Sequence, residues 1–391
     1  MCLNLAAAHP ILVLTRKTTW TDKSLMMRHA TTALRSALVA LATALPIQAN
    51  AHVKWFCSIA DVRASPLPLT NVLSSTFLRV AALFLVISAL GYAADNLGRS
   101  LWPVIAHPSI RRRHLEDVIV RVTVGLFFFF LWHGHVVVVW EKGGTILTPE
   151  LVMVSQIIAM LQLVVAISML WKRALFLGAT AIALLYVCGI WNYSVFHMTD
   201  YLFFPGLAIF FARDPREPPG TAPWRTTLLT GSLALSLMWT AIEKFLYPAW
   251  AAEVVALHPS TSFGFDIPFV IVVAAFIEFS LAFHILIGTG LARLGSALFA
   301  LIFISAIPDF GHLDAVGHLM ILGILAAGMI RGVSALGYHV RPLRSTMLRD
   351  TAAILTEPWL TAHIAIWSAI SGGGFEVMRV CMRVFQLGKT R

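Results

Sequence analysis

The sequence predicts an all-α polytopic membrane protein of about nine transmembrane helices: one extra span followed by two parallel four-helix repeats. Three observations lead there. Of the 391 residues, 58% are hydrophobic and 12% charged, with a mean hydropathy of +0.80, whereas soluble domains carry roughly 25% charged residues. This composition excludes a soluble globular enzyme and a disordered chain alike. Apolar stretches recur at about the 20 residues needed to cross a hydrocarbon core near 30 Å thick. Basic residues then gather in alternate connections, as the positive-inside rule requires. The net charge of +10 is therefore read as loop charge facing a lipid membrane, and no nucleic-acid partner is expected. Cys2, Cys57, Cys188 and Cys381 are scattered, without disulfide-framework or metal-site spacing.

Residues 1–51 are expected to be an N-terminal extension with a cleaved signal peptide. Met27 opens a basic start with Arg28 and Arg35, followed by a short apolar run and Ala49-Asn50-Ala51, an A-x-A cleavage pattern. The signal is complete from Met27, which makes that residue a candidate start beside Met1. Cleavage after Ala51 leaves His52 as the new first residue on the outer face. An uncleaved first span is the alternative.

Residues 52–117 are read as a periplasmic segment, the first span and a cytoplasmic loop, 118–215 as the first four-helix unit and 226–334 as the second. The spans are expected at 76–94, 118–140, 151–171, 174–191, 199–212, 227–247, 267–289, 292–308 and 315–331. Arg99 and Arg111 to Arg113 follow the first span, Lys172 and Arg173 the third, and Arg213, Arg216 and Arg225 the fifth. Arg293 follows the seventh, and Arg331, Arg341, Arg344 and Arg349 the ninth; the other loops carry only Lys142. An outside start and an inside end follow, in the cytoplasmic membrane of a bacterium, and the signal peptide requires the same orientation. Residues 335–391, interrupted by Glu357-Pro358 and Gly372 to Gly374, are expected to form an amphipathic tail on the cytoplasmic surface.

The repeat rests on self-similarity at a shift of 117 residues. Gly178 falls on Gly295, Ile190 on Ile307, Asn192 on Asp309, Leu202 on Leu319 and Gly206 on Gly323 without a gap. Trp132 matches Trp239 at a shift of 107. Four spans return the chain to its starting side, so such repeats are parallel rather than inverted.

Three segments of the second unit carry a resemblance: W-T-A-I-E-K-F-L-Y-P-A-W from Trp239, I-E-F-S-L-A-F-H-I-L-I-G-T-G-L-A-R from Ile277, and D-A-V-G-H-L-M-I-L-G-I-L-A-A-G-M-I-R-G from Asp314. They resemble the DoxX-like family of four-helix membrane proteins, with a first-helix Lys at Lys244 and a second-helix Glu at Glu278. The resemblance covers about a quarter of the chain well and another quarter through a degenerate first repeat. Val136 to Val139 stand where Lys244 would be, and Gln162 stands near the Glu278 position. The resemblance implies association with quinone-linked membrane redox subunits, carried by the second unit; fold analogy alone assigns no activity.

Ionisable groups inside a membrane cost roughly 2.5–3.5 kcal/mol each on insertion scales, so each needs a partner or a purpose. His133, His135 and Glu141 are expected near the outer end of the second span, and Glu243 and Lys244 near that of the sixth. His197 and Asp200 fall in the outer turn of the first repeat, and Asp309, His312, Asp314 and His318 in that of the second. Only Glu278 and His284 lie deeper. Three readings stay open. One is structural, with Glu243 or Glu278 pairing Lys244. The second is a copper or zinc site from His52, His133, His135, His197, His312 and His318, since imidazole and carboxylate suit these metals. Against it, residues two apart on a helix diverge by about 200°, which separates His133 from His135. The third is a quinone or proton-relay site using Glu278, Lys244 and Asp314. No haem-attachment, P-loop, nucleophile-elbow or dinucleotide motif is present, and whether the chain is catalytic stays open. Phe127 to Phe130 face every direction around a helix, so at least half must face lipid or a neighbouring helix, and lipid-facing packing is favoured over a quinone slot.

Overall fold

A computed structural model describes residue 57 and residues 65–97, 110–136, 144–148, 150–212, 224–262, 264–288 and 290–332. The signal segment 1–51, His52 and the tail 335–391 lie outside them. The described residues are helical throughout, apart from connections and an isolated antiparallel bridge between Thr145 and Val152. The principal helices are α1 (Ser75–Leu97), α2 (Ile110–Val136), α3 (Gln156–Ser168), α4 (Leu175–Met198), α5 (Phe203–Ala212), α6 (Trp224–Leu246), α7 (Pro248–Leu257), α8 (Ile267–Ile287), α9 (Gly290–Gly317) and α10 (Leu319–Arg331).

Each expected span holds a helix. Among the described residues, four segments are long and apolar enough to cross a membrane: Ser75–Asp95, Lys172–Tyr201, Ile267–Ile287 and Gly290–Gly311. α3, α5, α7 and α10 are apolar but only 10 to 13 residues long. The boundaries also shift. α2 starts eight residues before the expected 118: Arg112 and His114 in its first turns are exposed, while Glu116 and Asp117 are buried in a polar network instead of lying in a loop. Residues 151–155 are not helical, and 199–201 form a 3₁₀ turn. α7 falls in a stretch read as a loop, although Pro248 at its first position is a standard helix opener.

The helices form a ring in contact. α2 packs on α3, α3 on α4, α4 on α5, α5 on α6, α6 on α8, α8 on α9, α9 on α10, and α10 returns to α2. α1 lies outside against α8 and, more lightly, α9. Phe127 and Phe128 are buried against Phe204, with centroids 6.3 and 6.2 Å away, while Phe129 and Phe130 are exposed. The outward half of that aromatic run therefore faces the apolar exterior.

Two close approaches fix the ring. A Cβ at Gly206 of α5 would overlap Ser232 of α6, and a Cβ at Gly323 of α10 would overlap Thr123 of α2. Such small residues let apolar helices pack backbone to backbone. Two helices are broken near one end: α4 at Ser194 (φ 78°, ψ 157°) and α9 at Gly311 (φ 74°, ψ −155°). That region of backbone space is natural only for glycine. Ser194→Gly is therefore expected to raise stability by about 1 kcal/mol, read as a higher thermal midpoint in detergent; a lower one would show that the serine side chain itself holds the break.

Candidate functional site

α6 and α8 are neighbours, and their contact buries two opposite charges. Lys244 Nζ stands 2.5 Å from Glu278 Oε2, with both side chains buried. Lys244 lies in the last turn of α6, whereas Glu278 is in the middle of α8, where Phe276, Phe279, Ala282 and Phe283 are also buried. The position demands the pair, because a lone charge there stays uncompensated. Glu278 Oε1 is buried and accepts no hydrogen bond among the described residues, so half of the carboxylate is left for another donor.

A second pair follows the break in α9. Asp314 Oδ1 lies 2.9 Å from His318 Nδ1, one helical turn apart, and both residues are buried. The imidazole stacks on Phe303 with ring centroids 4.4 Å apart and planes at 27°. Depth follows from the turn at Gly288, at 1.5 Å per residue. Glu278 lies about 15 Å up α8 and Phe303 about 22 Å up α9, roughly one and a half helical turns apart in height.

The structure joins Lys244 to Glu278 and Asp314 to His318, and leaves the histidines proposed as metal ligands among aromatics. His133 is half-buried and stacked on Phe129 at 6.3 Å. His197 is buried between Tyr193 and Tyr201, at 5.9 and 6.1 Å. His318 belongs to Asp314 and Phe303. His135 and His312 are within helices, but their side chains lie outside the described residues, as does all of His52. No group of three His, Cys, Asp or Glu that could hold a metal ion forms among the described residues. Of the six histidines expected as ligands, the three whose side chains are described, His133, His197 and His318, each pack on aromatics of their own helix or turn.

Sequence reasoning missed a charged network at the other end of the ring. Arg331 donates to Glu116 Oε2 at 3.1 and 2.7 Å and to Thr226 Oγ1 at 2.9 Å, all buried. Arg225 donates to the carbonyl of Phe210 at 3.0 and 2.7 Å, lies 4.2 Å over that ring and stands 3.9 Å from Asp117. Arg121 stands 3.7 Å from Asp117 and donates through Nε to the carbonyl of Met169 at 2.9 Å. Arg293 donates to the carbonyl of Met329 at 3.1 Å. Three of these arginines cover the C-terminal carbonyls of α3, α5 and α10, where a cation complements the helix dipole. Read along the chain, they are only topology signals. Glu116 and Asp117, directly after the arginine run, were the available hint that this segment folds inward.

Two further polar contacts matter for the packing. Gln162 donates to the carbonyls of Thr145 and Ile146 at 2.7 and 2.9 Å, holding the buried segment 144–148. Asp95, at the end of α1, accepts from the backbone N–H of Leu291 at 3.1 Å and so caps α9. Comparison of the chain with protein-family models, with curated proteins and with solved structures gives no match.

Proposed function

We propose that the chain is a multi-pass protein of a bacterial inner membrane, resembling the DoxX-like family, and serves as a quinone-associated accessory subunit of a membrane redox system. The observation that carries this is the Lys244–Glu278 pair, buried between apolar helices with one carboxylate oxygen unoccupied by any described donor. Such a carboxylate can pass a proton to and from a lipid-soluble carrier without exposing a charge to hydrocarbon. Asp314 and His318, held beside Phe303 roughly one and a half turns further from the Gly288 turn, extend the set of proton-exchanging groups.

The two-unit plan of about nine spans belongs to the same reading. Ser194 and Gly311, the broken positions, are 117 residues apart, the register of the sequence repeat. Gly206 and Gly323 share that register, and each meets a hydroxyl residue on the first helix of the other unit. The contact order supports it as well, because each unit's last helix packs on the other's first. Gln162, near the Glu278 position, is occupied with its own loop, which favours the second unit as the active one. The gathering of Arg121, Arg225, Arg293 and Arg331 at one end, two of them buried, supports a cytoplasmic side there.

Glu278→Gln in membranes of the host is expected to lower quinone-linked respiratory turnover at least ten-fold with the protein level unchanged. Full turnover at normal abundance would remove the redox reading and leave the pair structural.

A further inference from the structure

The register of 117 residues sets α3 and α4 beside α8 and α9. Where both faces look outward, exposure agrees: Leu184 is 51% exposed and Leu301 42%, and Val187 57% and Ile304 53%. Along α3 it does not. Ile167 is 46% exposed, whereas its counterpart His284 is 9%. The difference is α1. Gly91 of α1 lies against His284 and Leu291, and Phe77 and Phe84 pack on Phe276 at 5.1 and 5.7 Å. Met160, Val164 and Ile167 are exposed along α3, and their spacing of four and three residues makes one seam of the kind that packs against another helix; exposed Trp171 lies beyond the helix end, in extended backbone.

A second, polar difference coincides with the first. α1 brings Asp95 to the N-terminus of α9, where it accepts from Leu291. The corresponding N-terminus of α4 has no side-chain cap, the Ala174 N–H itself donating to the carbonyl of Trp171 at 3.0 Å. Exposed Lys172 and Arg173 stand just before it.

We propose that a transmembrane helix of a partner subunit docks along Met160, Val164 and Ile167 in the position α1 takes on α8, with an Asp or Glu at its cytoplasmic end. That carboxylate caps α4 and pairs with Lys172 and Arg173. The proposal rests on the membrane and parallel-unit reading above and deepens it by giving the partner's chemistry. A second copy using the same seam is disfavoured, since it sets Lys172 and Arg173 against themselves.

The test places a photoreactive benzophenone amino acid at Met160, Ile167, Leu184 or Val187 of the full chain and irradiates native membranes. Met160 and Ile167 are expected to give one protein adduct. Its cross-linked peptide should lie in an apolar segment of about 20 residues with Asp or Glu at the cytoplasmic end. Charge reversal by Lys172→Glu with Arg173→Glu should reduce that adduct at least ten-fold at equal chain level, while Leu184 and Val187 give lipid adducts alone. Lipid adducts at all four positions overturn the docking surface and leave the membrane reading standing. A second copy of this chain in the adduct, or a protein adduct indifferent to the charge reversal, overturns the stated occupant. Absence of lipid adducts at Leu184 and Val187 overturns the membrane reading itself.

Discussion

Lys244→Ala is expected to destabilise the protein by about 3–5 kcal/mol, the usual consequence of stripping one partner from a buried ion pair. Glu278 would then stand buried in α8 with neither oxygen neutralised. Glu278→Ala should cost a similar amount by stranding Lys244 at the end of α6. The double replacement Lys244→Met with Glu278→Leu should recover most of the loss, since apolar residues of comparable volume often replace a buried pair at no net cost. Thermal midpoints of the four proteins in one detergent check this. A double variant no more stable than either single one would place the defect in lost packing rather than stranded charge. Turnover in membranes then separates structure from chemistry: a double variant that is stable and inactive retains the fold while lacking the proton-exchanging carboxylate.

Gly323→Ala carries the second large effect, a loss of about 1–3 kcal/mol from overpacking. The added Cβ would overlap Thr123 of α2. Thr123 has little freedom to move aside, because its hydroxyl donates to the carbonyl of Ile119 at 3.0 Å and its branched side chain is stiff at χ1. Gly206→Ala meets Ser232, whose hydroxyl is likewise held on a carbonyl, that of Leu229 at 2.9 Å, but which is unbranched and adds no third overlapping atom, so a somewhat smaller loss is expected there. Thr123→Gly should rescue Gly323→Ala, and Thr123→Ala only in part, since the Thr123 Cβ itself comes within 2.8 Å of the added atom. Equal losses at Gly206 and Gly323, or no rescue by Thr123→Gly, would count against side-chain overlap as the cause.

The helices were legible where physics is local. Runs of apolar residues set α1 and α8 within three residues of their observed ends, whereas α4 and α9 run seven and nine residues past the expected 191 and 308. α7 was not legible, because ten residues are too few to register as a span and Pro248 resembles a loop residue until it is seen as a helix opener. At the site, Lys244 and Glu278 were singled out as costly charges, and their partnership was one of several pairings the sequence allowed. Glu243, adjacent to Lys244, was an equal candidate until the facing of α6 towards α8 decided it. The long-range bonds of Arg331 to Glu116 and of Asp95 to Leu291 join residues about two hundred positions apart, and nothing in a single sequence sets that distance in space. The histidines expected as metal ligands divide: His133, His197 and His318 each stack on aromatic rings, while His52 and the side chains of His135 and His312 lie outside the described residues.

The bond from Arg331 to Glu116 spans 215 residues, which has a consequence for biogenesis. At 5–20 residues per second, synthesis needs roughly 10–40 s to deliver Arg331 after Glu116 has emerged. Throughout that interval α2 lacks α10, and Glu116 lacks its guanidinium. The first unit therefore spends most of translation as an open arc with a charged seam unsealed, vulnerable to quality-control proteases until the last helix arrives. Truncation before residue 331 removes the closing piece, so a nonsense mutation late in the gene should be as damaging to accumulation in the cell as one near its middle.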